Sequence, residues 1–275
     1  MTRTSVVVGC AFALIPLLVG CGTTPVHRPA AKLDPKPYLL HLPGITGGFW
    51  MHDQYTRAIQ AGGFDAETAI YDWTGNRFSL SVLGQREQNL AQADKIARFL
   101  TKKHQENPQR PLYLSCESGG AGVLVWALEK LPDDVQVEAA ILVSPALSTT
   151  YDLTPALRHV RKRMLVFPSK SDGLVLGFGT LMFGTMDRKH EKSAGLDGFT
   201  MPTTADAVQY AKLEQYPYRG KFFWDYGNGG GHAWALYPHF ASAYLASRLI
   251  EIAHSGDADE CPCTQPAEHA YAVER

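Results

Sequence analysis

The chain reads as an α/β protein with a mostly parallel central sheet and helices on both faces. Three observations predict this. Short apolar runs alternate with longer segments of helical spacing from Tyr38 to His254. The runs are apolar at successive positions, as strands covered on both faces must be. Strands separated by helices pair in parallel, because each parallel pair needs a long crossover. The chain has 275 residues, 45% hydrophobic and 19% charged, which is enough to bury a core without disulfide staples.

The elements follow in order. Tyr38 to Leu42 is a first strand, ended by Pro43-Gly44. Trp50 to Ala61 has helical spacing and stops at Gly62-Gly63. Thr68 to Trp73 reads as a second strand. Leu83 to His104 reads as a helix with Leu83, Leu90, Ala93, Ile96, Ala97 and Leu100 on one face. Pro111 to Cys116 is a third strand, followed by a helix from Gly119 to Leu131. Val137 to Val143 is a fourth strand, and Pro155 to Lys162 a short helix. Met164 to Pro168 and Lys221 to Tyr226 complete six strands, and Ala233 to His254 is a closing helix. Residues 173–215 form a long connection whose apolar, glycine-bearing stretch Gly177 to Gly184 reads as a lid or as a surface insertion.

The two ends stand apart from this alternation. Residues 1–20 have one charge, Arg3, and then an apolar run broken by Pro16, which reads as an export signal rather than a spanning helix. Leu18-Val19-Gly20-Cys21 resembles a bacterial lipobox, with cleavage before Cys21 and acylation of its thiol. Simple secretion or an uncleaved anchor are the alternatives. Residues 21–37, proline-rich and without apolar periodicity, read as a tether, 38–254 as the domain, and 255–275 as a polar tail. Membrane association through Cys21 at the bacterial cell envelope is the expectation. Cys261 and Cys263 sit in the tail with one residue between them, too close for an unstrained ring, and with only His269 and a few carboxylates as further ligands nearby no metal is expected. Lys+Arg of 26 against Asp+Glu of 27 speaks against a nucleic-acid partner.

In a parallel sheet, ligands bind beyond the carboxyl ends of the strands, so chemistry is sought in those loops. After the third strand comes Cys116-Glu117-Ser118-Gly119-Gly120. A serine nucleophile on a sharp strand-to-helix turn needs small residues two before and two after it, and only the frame centred on Ser118 fits, with cysteine where glycine is usual. Read locally, Ser118 could also be a helix N-cap. Glu117 reads as a spacer at the turn with no catalytic part. Past the fifth strand stands Asp172-Gly173. Beyond the sixth, a loop with four glycines in five positions presents His232.

Ser118, Asp172 and His232 thus follow in the order that α/β-hydrolases use. On these residues the chain resembles the α/β-hydrolase-fold serine esterases and lipases over residues 37–254. The resemblance implies a three-layer α/β-hydrolase fold. It implies Ser118 as nucleophile, His232 as general base and Asp172 as the acid that orients it, with Asp152 as a competitor. Asp225, inside a strand and close to His232 in sequence, fits poorly. The stretch His41-Leu42-Pro43-Gly44-Ile45 resembles the family's His-Gly loop, which implies an oxyanion hole from the amides of Ile45, or Thr46, and Gly119. His41 as the base would be at the wrong chain position. The connection between Ser144 and Arg163 leaves no room for a large cap. The expected activity is hydrolysis of a small-molecule or lipid carboxylic ester without a cofactor. Acyl transfer, thioester or peptide cleavage by the same triad, or a binding protein without catalysis, are the alternatives.

Overall fold

The computed structural model describes residues 24–75, 80–169, 185–189, 192–227 and 229–256. Its centre is a six-stranded sheet, parallel throughout, in the order β2-β1-β3-β4-β5-β6. The strands are β1 (Tyr38–Leu42), β2 (Glu67–Ile70), β3 (Leu112–Glu117), β4 (Val137–Val143), β5 (Val160–Phe167) and β6 (Leu213–Gln215). The α/β class with helices on both faces is borne out.

Successive strand residues feed two cores, as the two-residue period of a strand requires. Leu40, Leu42, Leu114 and Cys116 face one core, with Ala93, Ile96 and Leu100 of α2 (Arg86–Glu106) and the residues of α3 (Gly120–Leu128). Leu39, Tyr113, Ile141 and Phe167 face the other, with Tyr55, Ala58 and Ile59 of α1 (Trp50–Ala61) and Leu249 and Ile252 near the carboxyl end. All nine residues of α3 are buried, so this helix shows no polar face.

The connection from β1 leads outward to β2, and the next returns across β1 to β3. The chain therefore reverses its winding between β1 and β3. That crevice, at the carboxyl ends of the two strands, is where such sheets bind ligands.

The second half departs from the sequence expectation in several places. Lys221 to Tyr226, expected as the sixth strand, is helical: α7 spans Gly220–Tyr226. The sixth strand is Leu213–Gln215, beside β5. Phe222 and Tyr226 both pack on Phe240 and Tyr244. A spacing of four returns to the same face in a helix and in a strand alike, so the pattern did not discriminate. The short helix after β4 is α4 (Thr154–Leu157), and Lys162 belongs to β5. The closing helix is interrupted. A turn at Trp234–Leu236, a turn at Pro238–Phe240 and a wide turn at Ala241–Leu245 precede α8 (Ala246–His254).

The expected lid over 173–215 does not hold for its last part, because Leu213–Gln215 is a sheet strand. α5 (Ala194–Asp197) and α6 (Ala207–Tyr210) lie in the same span, and Ala194, Phe199 and Tyr210 are buried in the first core. Residues 170–184 and 190–191 lie outside the described residues. The expected tether is pinned to the domain from Val26 onward. The amides of Val26, Arg28 and Ala31 donate to Ser242 Oγ, Ala61 O and Gly63 O, which gives an extended proline-bearing segment backbone partners it would otherwise lack. Cys21, Cys261 and Cys263 lie outside the described residues, and no described helix is long and apolar enough to cross a membrane.

Candidate active site

Ser118 stands at the end of β3 with φ 52°, in the left-handed region that a non-glycine residue seldom adopts. Its surroundings hold it there. The Ser118 amide donates to Val143 O at 2.9 Å, and its carbonyl accepts from the amides of Ala121 and Ala146. Gly120 is needed for the same turn. A Cβ there would meet the backbone oxygens of Pro43 and Leu42 at 2.4 and 2.7 Å, so only glycine lets α3 start against the end of β1. Ser118 is not an N-cap: Gly119 holds the capping position, and no side chain bonds the first turn of α3. Such a strained serine between strand and helix is the geometry of a nucleophile elbow. Cys116, standing where glycine is usual, is buried with its Sγ toward Ile141 O at 3.5 Å, and burial pushes its thiol up into the inert range.

The loop after β1 lies against this turn. Trp73 Nε1 donates to Pro43 O at 2.7 Å. A Cβ on Gly119 would touch Leu83, Ile45 and Trp73 at 3.0 to 3.2 Å. Ile45 and Gly119, the two expected oxyanion donors, are therefore neighbours, and the wall around them is apolar. Thr46, the alternative donor, is exposed.

His232 is delivered by the loop that follows α7, where Gly230 and Gly231 take φ values of 84° and 94° just ahead of it. Ser144, a second serine with positive φ (45°), donates its Oγ to His232 O at 2.6 Å. Ser144 lies between Val143 and Ala146, the two partners of Ser118 at the end of β4. His232 and Ser118 therefore flank one strand end. The His232 ring meets Glu117, which the sequence reading took for a spacer: its Nε2 lies 2.7 Å from Glu117 Oε1. Glu117 is 4% exposed. Burial pushes its carboxyl up, but His232, His52 and the Gly44 amide outweigh this and hold it below the usual carboxylate range. The only sequence signal for Glu117 was an acidic residue at the end of a covered strand, beside a candidate nucleophile.

Asp172 lies outside the described residues. Its competitor Asp152 is occupied in accepting the amide of Thr154 at the start of α4. Asp225 faces Lys221 on α7. His41 is fully buried, with Nδ1 2.8 Å from Ser115 Oγ and Nε2 2.8 Å from His52 Nδ1. Burial, helped by His52, keeps His41 well below the usual histidine range, so it is a neutral structural group under the sheet end.

No curated protein matches the chain. Solved structures with a similar course include a Thermus thermophilus protein, at 13% identity over 84% of this chain and 92% of that one, TM-score 0.49. An esterase of Pyrococcus furiosus matches at 12% identity over 80% and 82%, TM-score 0.46. A carboxylesterase of Mesorhizobium loti matches at 14% identity over 79% and 90%, TM-score 0.44. The family model described as serine aminopeptidase, S33, matches residues 34–176, more than half of the chain, and spans the β1 loop and the Ser118 turn. The chain, with its parallel sheet and its serine turn at the crevice between β1 and β3, belongs to the serine aminopeptidase S33 family of α/β-hydrolases.

Proposed function

We propose that this hydrolase cleaves carboxylic esters through an acyl-enzyme on Ser118. The strained turn that sets Ser118 at the winding reversal of the sheet carries the proposal. Ser118 Oγ attacks the ester carbonyl, and His232 takes its proton and returns it to the departing alcohol. The amides of Gly119 and Ile45 receive the negative oxygen. Water activated by His232 then releases the acid. Asp172 orients His232 in this scheme. The apolar wall of Ile45, Leu83 and Trp73 suits an uncharged acyl group. Water and protein groups suffice for every step. The family's description favours a second reading, in which the same acyl-enzyme forms from an aminoacyl amide. Cys21 carries a lipid that holds the enzyme at the cell envelope, and growth with labelled palmitate would label the wild-type chain and not Cys21→Ser.

The test is turnover of short p-nitrophenyl esters beside aminoacyl anilides. Ser118→Ala is expected to lower kcat on esters by about 10⁴-fold or more with an unchanged circular dichroism spectrum. A fluorophosphonate should label Ser118 and no other residue. Wild-type turnover by Ser118→Ala would end this reading, and faster anilide than ester cleavage would replace it with the second.

A further inference from the structure

Glu117 carries a charge where the fold asks for none. A residue at the end of a covered strand is satisfied by an apolar side chain, and a carboxylate this buried is costly unless it is paired. Its two oxygens have separate tasks. Oε1 meets His232 Nε2 at 2.7 Å. Oε2 faces Gly44, whose amide hydrogen-bonds the carboxylate and where a Cβ would stand 2.1 Å from Oε2. His52 of α1 faces the same carboxylate, and Cys116 precedes it on β3. Asp72, after β2, faces His52 in turn. One side chain, covalently next to Ser118, therefore joins the loop of the expected oxyanion donor to the ring of the expected base.

We infer that Glu117 is a positioning residue of this site: one oxygen holds the Gly44 loop beside Ser118, and the other is the counter-charge to the imidazolium, accepting from His232 Nε2–H once Nε2 has taken the Ser118 proton, which leaves Nδ1–H for the acid expected at Asp172. The inference rests on the ester-hydrolase reading above and adds a second acidic group to the one expected at Asp172. A buried anion against the ring stabilises its charged form and so favours proton transfer from serine. Gly44 is glycine because any side chain there would displace the carboxylate.

The experiment is kcat/KM against pH on a p-nitrophenyl ester for wild type, Glu117→Gln, Glu117→Asp and Gly44→Ala, with Ser118→Ala as the blank and melting curves for all. Glu117→Gln should lower the plateau about 100-fold and move the acid limb to lower pH, because the imidazolium loses its counter-charge. Gly44→Ala should move the limb the same way. Glu117→Asp keeps the charge and should keep the wild-type limb. If Glu117→Gln does not fold, the other two variants decide: a wild-type limb in Gly44→Ala, or a lowered one in Glu117→Asp, overturns the inference. Wild-type plateau and limb in Glu117→Gln overturn it directly, whereas activity in Ser118→Ala would defeat the hydrolase reading itself.

Discussion

The two sides of the site are held by different means. Ser118 is fixed by backbone: its amide and carbonyl bond Val143 and Ala146, and Gly120 lies against the carbonyls of β1. His232 is fixed by side chains: Ser144 Oγ on its carbonyl, Glu117 on its ring, and Trp234 beyond it packed among Phe167, Phe222 and Phe240. Their protonation demands also oppose. Beside Ser115 of β3, His41 is kept neutral by burial, while the candidate base faces an anion that favours its charged form. A backbone-held serine cannot be adjusted without breaking the sheet end, whereas a side-chain-held histidine can be tuned residue by residue.

That contrast can be broken or sharpened by four measurements. The largest effect should come from Gly120→Ala, whose Cβ would collide with backbone. A loss of about 3 kcal/mol is expected in denaturant melts, and a loss below 1 kcal/mol would show that the Ser118 side yields. Acid comes next. The folded-state pKa of His41 is lowered, so the unfolded chain binds its proton first. Stability should be intact above about pH 6.5 and decline below it, toward the folded-state pKa. A melting temperature that is level from pH 7 to pH 5 would contradict this. Ser144→Ala removes one bond to the His232 loop and should cost about 1 kcal/mol, seen as a roughly fivefold fall in kcat/KM. Loss of folding instead would mean that Ser144 serves the sheet more than the base. The smallest effect belongs to Trp224→Ala. Trp224 is 83% exposed on α7, and the change should stay within about 0.5 kcal/mol by melting. A larger loss would extend the aromatic support of the base side to the α7 surface.

How far the sequence could be read follows the same division. β1, α1 and β4 lie where the apolar runs put them, because strands sealed on both faces and a helix with one apolar stripe write their periods locally. The turn at Ser118 was legible because steric demands confine it to small neighbours. The base side was read with errors. The residues of α7 find their partners in Phe240 and Tyr244, which lie beyond His232, and β6 is three residues long, too short to leave a pattern. Glu117 read as a mere spacer because its meaning depends on Gly44 and His232, residues far from it in sequence. Both segments that reach it are loops, and loops have no period to read.

The left-handed backbone at Ser118 has one more consequence, for what a stabilising substitution would cost. A serine held there costs on the order of 1–3 kcal/mol, a strain glycine would not incur. Glycine at this position would relieve that strain and at the same time remove the hydroxyl on which the proposed acyl-enzyme depends. Stability and the proposed chemistry therefore make opposite demands on a single residue, and a screen for thermal endurance alone would favour the substitution that ends the proposed activity.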